Sequence, residues 1–131
     1  MTIESKIVSL LNDHISDGAS NVPLYHRVIP QSHADHRALV YNMTGSSPIV
    51  AKGSTIMGTN YEVDITIAHR ESDKLQTVAA AVRNALEGYQ NLSAADRWNY
   101  TLYQGEEGHV DERLPDYHII IQTYQFTKAN Y

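Results

Sequence analysis

The sequence predicts an α+β fold in which a mostly antiparallel sheet of about four to five strands carries two helices on one face. Two segments have apolar residues at helical spacing. Other segments alternate apolar and polar residues, which is the period of a strand with one buried face. These segments follow one another as helix, two strands, strand, helix and two strands, and this order indicates an α+β layer.

The first part of the chain predicts one helix and two strands. Apolar residues at helical spacing place a helix over residues 3–15, with Thr2 as its cap and Gly18 as its end. Residues 24–29 are typical of a short strand. Residues 38–44 alternate and predict a second strand, which the following Gly-Ser-Ser-Pro run interrupts. Residues 49–58 mix apolar residues with glycines and predict a mobile loop or an irregular hairpin.

The middle of the chain predicts a central strand that leads into an amphipathic helix. Apolar side chains recur at every second position of residues 61–67. Ser72 is placed to cap the helix, and the Asp73 carboxylate suits its positive end. Gly88 is a natural left-handed stop. The apolar stripe of this helix consists of Leu75, Val78, Ala79, Val82, Leu86 and Tyr89.

The last part of the chain predicts two more strands. Trp98, Tyr100 and Leu102 alternate with polar residues and indicate the first of them. A long strand is predicted over residues 117–126. Between the two strands, we expect residues 105–113 to form an extended acidic loop.

Length and composition predict one domain, residues 1–131, with a single core. The net charge of -5 disfavours nucleic acid as the main ligand, because binding to phosphates requires clustered Lys and Arg. The chain has no cysteine. No apolar run approaches the ~20 residues of a membrane span, and the start lacks the pattern of a signal peptide. We therefore expect a soluble protein that is made in the cytoplasm.

Three histidines and an aspartate, His26, His33, Asp35 and His36, are the residues most similar to a metal site, since imidazole and carboxylate bind zinc or iron. Their spacing matches no established ligand signature, and a solvated loop is favoured. The sequence also contains no nucleophile elbow, P-loop or dinucleotide fingerprint. It therefore predicts no enzyme, no cofactor and no metal.

Two groups of carboxylates have a simpler interpretation than catalysis or metal binding. The first group, Glu106, Glu107, Asp111 and Glu112, lacks the register of a calcium loop, and a solvated hairpin tip is favoured. Glu62 and Asp64 alternate with the apolar face of the central strand. They could form a paired acid/base site, but a position facing solvent or a neighbouring subunit is favoured.

The order and spacing of these elements resemble the tail-terminator or tail-completion proteins of long-tailed bacteriophages, which include the tail-to-head joining proteins. The resemblance covers nearly the whole chain. It is carried by the helix of residues 3–15, the strand end at residues 28–30, the strand at residues 38–41, the strand and helix of residues 61–88, and the closing strand of residues 117–126.

This resemblance implies a structural virion protein that forms a ring, usually of six copies, on the head-proximal end of the tail tube. The ring stops polymerisation of the tube and offers a surface to the head connector. The implied partners are further copies of the chain, the tail tube protein and the head–tail connector or stopper protein. DNA passes through the lumen without specific binding. The resemblance transfers no catalytic residue, and it implies no membrane partner.

The residues themselves suggest where such a ring makes contacts. The unpaired edges of an open sheet are available to neighbouring subunits, and a ring needs two different patches that meet head to tail. Residues 49–58 are the candidate docking segment on tube or connector, because exposed apolar residues are typical of surfaces that a partner covers. An acidic lumen is a further hypothesis, since carboxylates repel DNA phosphates. The predicted interface residues are Ile49, Val50, Ile56, Met57, Glu106, Glu107, Asp111 and Glu112.

Two alternatives stay open at this point. The chain could be another neck or connector component of the same virion. It could also be a small metal-dependent enzyme or ligand-binding α+β domain that uses His33, Asp35 and His36.

Overall fold

The computed structural model describes residues 2–27, 37–50, 53, 56–93, 96–110 and 118–129, with the backbone alone at residues 109 and 110. The elements are α1 (Ile3–Leu11), β1 (Leu24–His26), β2 (Arg37–Val50), β3 (Ile56–His69), α2 (Ser72–Leu86), β4 (Trp98–Val110) and β5 (His118–Ala129). One five-stranded sheet has the order β1-β2-β3-β5-β4. Only the β1–β2 pair is parallel among these described strands. The predicted α+β fold class is confirmed.

Helix α1 starts as predicted and ends early. The Thr2 hydroxyl accepts a hydrogen bond from the Ser5 amide at 3.2 Å and caps the helix. The helix ends at Leu11 instead of near Gly18, because Asn12 is already extended and Asp13 has a φ of 62°. The short strand β1 covers Leu24–His26 of the predicted segment, whose last two residues lie outside the described part of the chain.

Strand β2 is longer than predicted, since it continues through the Gly-Ser-Ser-Pro run to Val50. Two features explain the continuation. The register shifts between Met43 and Gly45, which absorbs one extra residue as a bulge. Strand β1 pairs with residues 39–41 of β2. Among the described strands, Pro48 therefore lies in an edge segment, where its missing backbone donor is tolerated.

The central unit folds as predicted, apart from its cap. Val63, Ile65 and Ile67 of β3 are buried, and so are all the predicted stripe residues of α2 up to Leu86. The predicted Ser72 cap is wrong. Glu71 occupies the cap position without a side-chain hydrogen bond, and Ser72 is the first helical residue. Gly88 has a φ of 77°, the predicted left-handed conformation.

Strand β4 differs most from its prediction. A register shift between Asn99 and Leu102 interrupts the alternation, so that Thr101 is buried while Tyr100 and Leu102 are exposed. Residues 105–110 belong to this strand and not to an acidic loop. Exposed carboxylates are compatible with a strand here, because β4 is at the edge of the sheet. Residues 111–117 lie outside the described part.

Both helices lie on one face of the sheet and share one core with it. The core-facing side chains of β2, β3 and β5 include Leu39, Ile65 and Phe126, which are fully buried. Trp98 contributes from β4 and meets Phe126 edge to face, with ring centroids 6.4 Å apart. The opposite face of the sheet carries neither helix, and we call it the open face.

Candidate assembly interface

The tip of the β2–β3 hairpin exposes a group of apolar side chains. Val50, Ile56 and Met57 are 57%, 56% and 42% exposed, and Ile49 is half-buried. Val50 pairs with Ile56, and a register shift separates this pair from the Ile49–Gly58 pair. The segment is therefore the irregular hairpin of the two predicted alternatives. Its apolar tip is a surface that a partner could cover.

Gly58 forms the last described pair between this hairpin and β5. It pairs with Ala129 of β5, and a Cβ atom there would lie 2.5 Å from the Lys128 carbonyl oxygen. Only glycine allows the two backbones to approach so closely. The hairpin tip thus continues past Ala129, the last described residue of β5.

A second apolar group lies on the opposite edge of the sheet, around the start of β4. Leu92, Tyr100 and Leu102 are 60%, 56% and 50% exposed. Sequence reasoning missed this group, because the bulge that turns Tyr100 and Leu102 outward leaves no signal in the alternation. Glu106 and Glu107, two of the predicted interface residues, are exposed further along the same strand.

The open face of the sheet carries acidic residues beside apolar ones such as Val40 and Ile121. Its strand residues include the carboxylates Glu62, Asp64 and Glu107, and the described strand residues of this face include no lysine or arginine. The Thr123 hydroxyl donates to the Asp64 carboxylate at 2.9 Å across the β3–β5 pair. A groove of about 410 Å³ on this face is lined by Asp64, Gln104, Gly105, Glu106, Glu107, Ile121 and Thr123. The charged side chains of the described strand residues on this face are therefore all acidic.

A buried ion cluster at the other end of the sheet resembles a catalytic pair but is fully engaged in structural contacts. The Asp17 carboxylate accepts bonds from the Arg37 guanidinium at 2.8 Å and from His69 Nε2 at 3.1 Å. The Glu71 amide donates to His69 Nδ1, so both ring nitrogens have partners and the Nε2–H tautomer is fixed. Burial alone would raise the pKa of Asp17, but hydrogen bonds from His69, from the Ala19 amide and from Arg37 hold it well below its usual range.

A second buried cation, Lys6, fastens α1 to the segment before β4. Its ammonium group donates to the Tyr89 hydroxyl at 2.9 Å and pairs with the Asp96 carboxylate at 3.0 Å. The Trp98 indole also donates to Asp96. The hydrogen bond from Lys6, helped by that from Trp98, lowers the pKa of Asp96 to about 2, although burial acts in the opposite direction. This cluster holds the core together and has no free group for chemistry.

A third polar group crosses the helix–sheet boundary at Gln122, which is 1% exposed. Its side-chain amide donates to the Ala79 carbonyl oxygen at 3.1 Å. Its carbonyl oxygen accepts a bond from the Tyr124 hydroxyl at 2.7 Å. Burial raises the pKa of Tyr124 above its usual range, so this hydroxyl keeps its proton and remains a donor.

The residues considered above as alternative metal ligands lie mostly outside the described part of the chain. His33, Asp35 and His36 lie outside the described residues, as do Asp111 and Glu112. His26 is exposed and stacks on the Tyr41 ring, with centroids 4.7 Å apart. Within the described ranges, no group of three or more His, Asp or Glu side chains is placed to hold a metal ion.

Neither α1 nor α2, the helices of the described part, combines the length and the apolar character that a membrane crossing requires.

Comparison with known proteins gives a match in structure and none in sequence. No protein-family model matches the chain, and no curated protein does. Among solved structures, a chain described as "Virion of native gene transfer agent (GTA) particle" superposes with a TM-score of 0.67. The alignment covers 95% of this chain and 84% of that chain, at 13% sequence identity. This protein therefore has the fold of a chain found in a gene transfer agent virion.

Proposed function

We propose that this chain is a structural virion protein of a phage or phage-like particle, and that it caps the head-proximal end of the tail tube as a ring. The ring stops tube polymerisation and joins the tail to the head connector. The observation that carries the proposal is the shared fold with a gene transfer agent virion chain over 95% of this chain. The family resemblance of the sequence supports the narrower role at the tail end.

The surfaces of the molecule are compatible with such a role. The hairpin tip and the β4 edge expose apolar side chains on opposite sides of the sheet, and a closed ring needs two different patches of this kind. The open face supplies an acidic wall along which DNA could pass without binding. Tube subunits and connector subunits are the partners that the exposed hairpin tip would meet.

Light scattering of the purified protein tests whether the ring forms. The mass is measured over a wide concentration range, with and without tail tubes of the same particle. The expected result is a ring of about six copies on the tubes. A stable dimer that ignores the tubes would contradict the proposal. A ring that binds only the connector would instead assign the chain to another position in the neck.

The docking role of the hairpin tip has a separate test. The double variant Ile56→Glu with Met57→Glu should fold normally, because both side chains are exposed, and should fail to complete tails. Val8→Glu is a control, since Val8 is 37% exposed and belongs to α1 instead of the hairpin. Normal infectious particles from the double variant would remove the hairpin tip from the mechanism.

A further inference from the structure

We propose that neighbouring copies of this chain join by continuing the sheet. The free part of β4 in one copy pairs antiparallel with the free part of β2 in the next copy, and Leu102 lies opposite Ile49. This inference rests on the ring of the proposed function and names the contact that closes it.

Both edges of the sheet have a free part of similar length. The backbone of residues 88–91 bonds to Trp98 and Thr101 of β4, and no described residue pairs with the outer side of β4 beyond them. Strand β1 pairs with residues 39–41 of β2, and beyond them no described residue pairs with the outer side of β2. Within the ranges that the structure describes, the edge segments without a backbone partner are residues 102–110 and residues 42–50, and these are the free parts.

The strand directions at these two edges suit one another. Strands β2, β3, β5 and β4 are joined by three antiparallel pairings, so β2 and β4 run in opposite directions. Rotation about a ring axis brings β4 of one copy beside β2 of the next and reverses neither strand. The contact between copies is therefore antiparallel, like the rest of this part of the sheet.

The register follows from the tilt that a closed sheet requires. One row across the sheet consists of Gly45, Glu62, Gln125 and Leu102. Four strands span about 19 Å, at a spacing of about 4.8 Å. The shift between copies must be an even number of residues, because an odd shift would exchange the open and the core-facing sides. Shifts of two, four and six residues give tilts of roughly 20°, 35° and 47°, and closed sheets tilt by about 35–45°.

A shift of four residues from Gly45 therefore places Ile49 opposite Leu102. A shift in the other direction would press β4 against the residues that β1 already covers. In the proposed register, the exposed Leu102 side chain approaches Ile49 of the next copy. Pro48 comes opposite Tyr103, so the junction lacks the one hydrogen bond that a proline cannot donate. No charged residue occurs in residues 42–50, so the Glu106 and Glu107 carboxylates meet no like charge on β2.

Disulfide formation between introduced cysteine pairs tests this register directly, because the natural chain contains no cysteine. The bulge between Tyr103 and Gly105 adds one residue to β4, so Glu107 comes opposite Gly45. A Cβ atom at Gly45 has no neighbour within 4 Å, and Glu107 is exposed. Within one chain these positions lie at least three strand spacings apart, about 14 Å, which exceeds the reach of a disulfide.

The experiment compares two double variants after mild oxidation of the assembled rings. Gly45→Cys with Glu107→Cys should give a ladder of covalently linked copies on a non-reducing gel. Gly45→Cys with Leu102→Cys is the matched control, because it links copies only in an unshifted register. In addition, an equal mixture of the single variants Gly45→Cys and Glu107→Cys should give covalent dimers, whereas each single variant alone should not.

The outcomes separate this inference from the proposed function. A ladder from the Glu107 pair alone supports the shifted junction. If light scattering still detects rings, a ladder from the Leu102 pair alone, or no ladder at all, would overturn the junction. Either result would leave the proposed ring unaffected. The absence of rings from the unmodified chain on tail tubes would overturn both. If circular dichroism shows that a double variant does not fold, the mixture of single variants tests the register instead.

Discussion

Replacing Asp17 with Asn should strongly destabilise the protein, because its carboxylate is the shared acceptor of a buried cluster. The Asp17 side chain is 4% exposed, and those of Arg37 and His69 are 15% and 6% exposed. Removing one partner of a buried ion pair costs about 3–5 kcal/mol, since the charge that remains loses its counterion. For a chain of this size we expect the melting temperature to fall by roughly 10 °C or more.

The same reasoning predicts how the difference in stability between the natural protein and the Asp17→Asn variant depends on pH. The pKa of Asp17 is lower in the folded protein than in the unfolded chain, where it is about 3.9. Its contribution to stability is therefore fully present above the unfolded pKa and is lost as the pH falls below it. The difference between natural protein and variant should be constant from pH 7 to about pH 5 and should shrink at lower pH.

Thermal unfolding followed by circular dichroism, repeated at several pH values, measures both effects. Asp13→Asn is the matched control, because Asp13 is exposed and its φ of 62° suits Asn. This control should change stability by less than about 0.5 kcal/mol. A loss equally small for Asp17→Asn, or one that stays constant below pH 4, would refute the assigned role of the cluster.

Two further substitutions test contacts in the sheet, with urea unfolding as the measurement. Gly58→Ala should lower the free energy of unfolding by about 1–3 kcal/mol, because the new Cβ atom would meet the Lys128 carbonyl oxygen. Gly45→Ala is the control and should leave the free energy of unfolding nearly unchanged. Equal effects of the two substitutions would show that the backbones do not approach closely at Gly58. Tyr124→Phe should lower the free energy of unfolding by about 1–3 kcal/mol, because the buried carbonyl oxygen of the Gln122 side chain loses its donor. An unchanged urea midpoint would argue against that hydrogen bond.

Periodicity predicted the parts of this fold where one face of an element is uniformly buried. The stripe of α2 and the alternation in β3 both correspond to buried side chains. Periodicity failed at irregularities that single residues introduce. The bulge after Asn99 reversed the expected directions of Tyr100 and Leu102, and nothing in the sequence marks its position.

The contacts between residues that are distant in the chain could not be predicted from the sequence, for a different reason. Asp17, Arg37 and His69 come together only because β2 and β3 pair along their whole length and the turn before β1 folds over their end. Each of these residues alone has an ordinary surface interpretation. The exposed hairpin tip was foreseeable, since a short apolar run broken by glycines packs poorly into a core and favours a contact surface. The extension of the two predicted strands through residues 45–50 and 56–60 was not foreseen.

The central β3–β5 pairing has a consequence for how the chain folds. The β2–β3 hairpin connects neighbouring segments, whereas His69 pairs with His118 and Gly58 with Ala129. Such distant pairing closes long loops before it gains contacts, which slows folding. Until that step, β3 and β5 each present a bare edge to other chains. Refolding yield should therefore decline as protein concentration rises, and synthesis in the cell is safest when β5 follows β3 without delay.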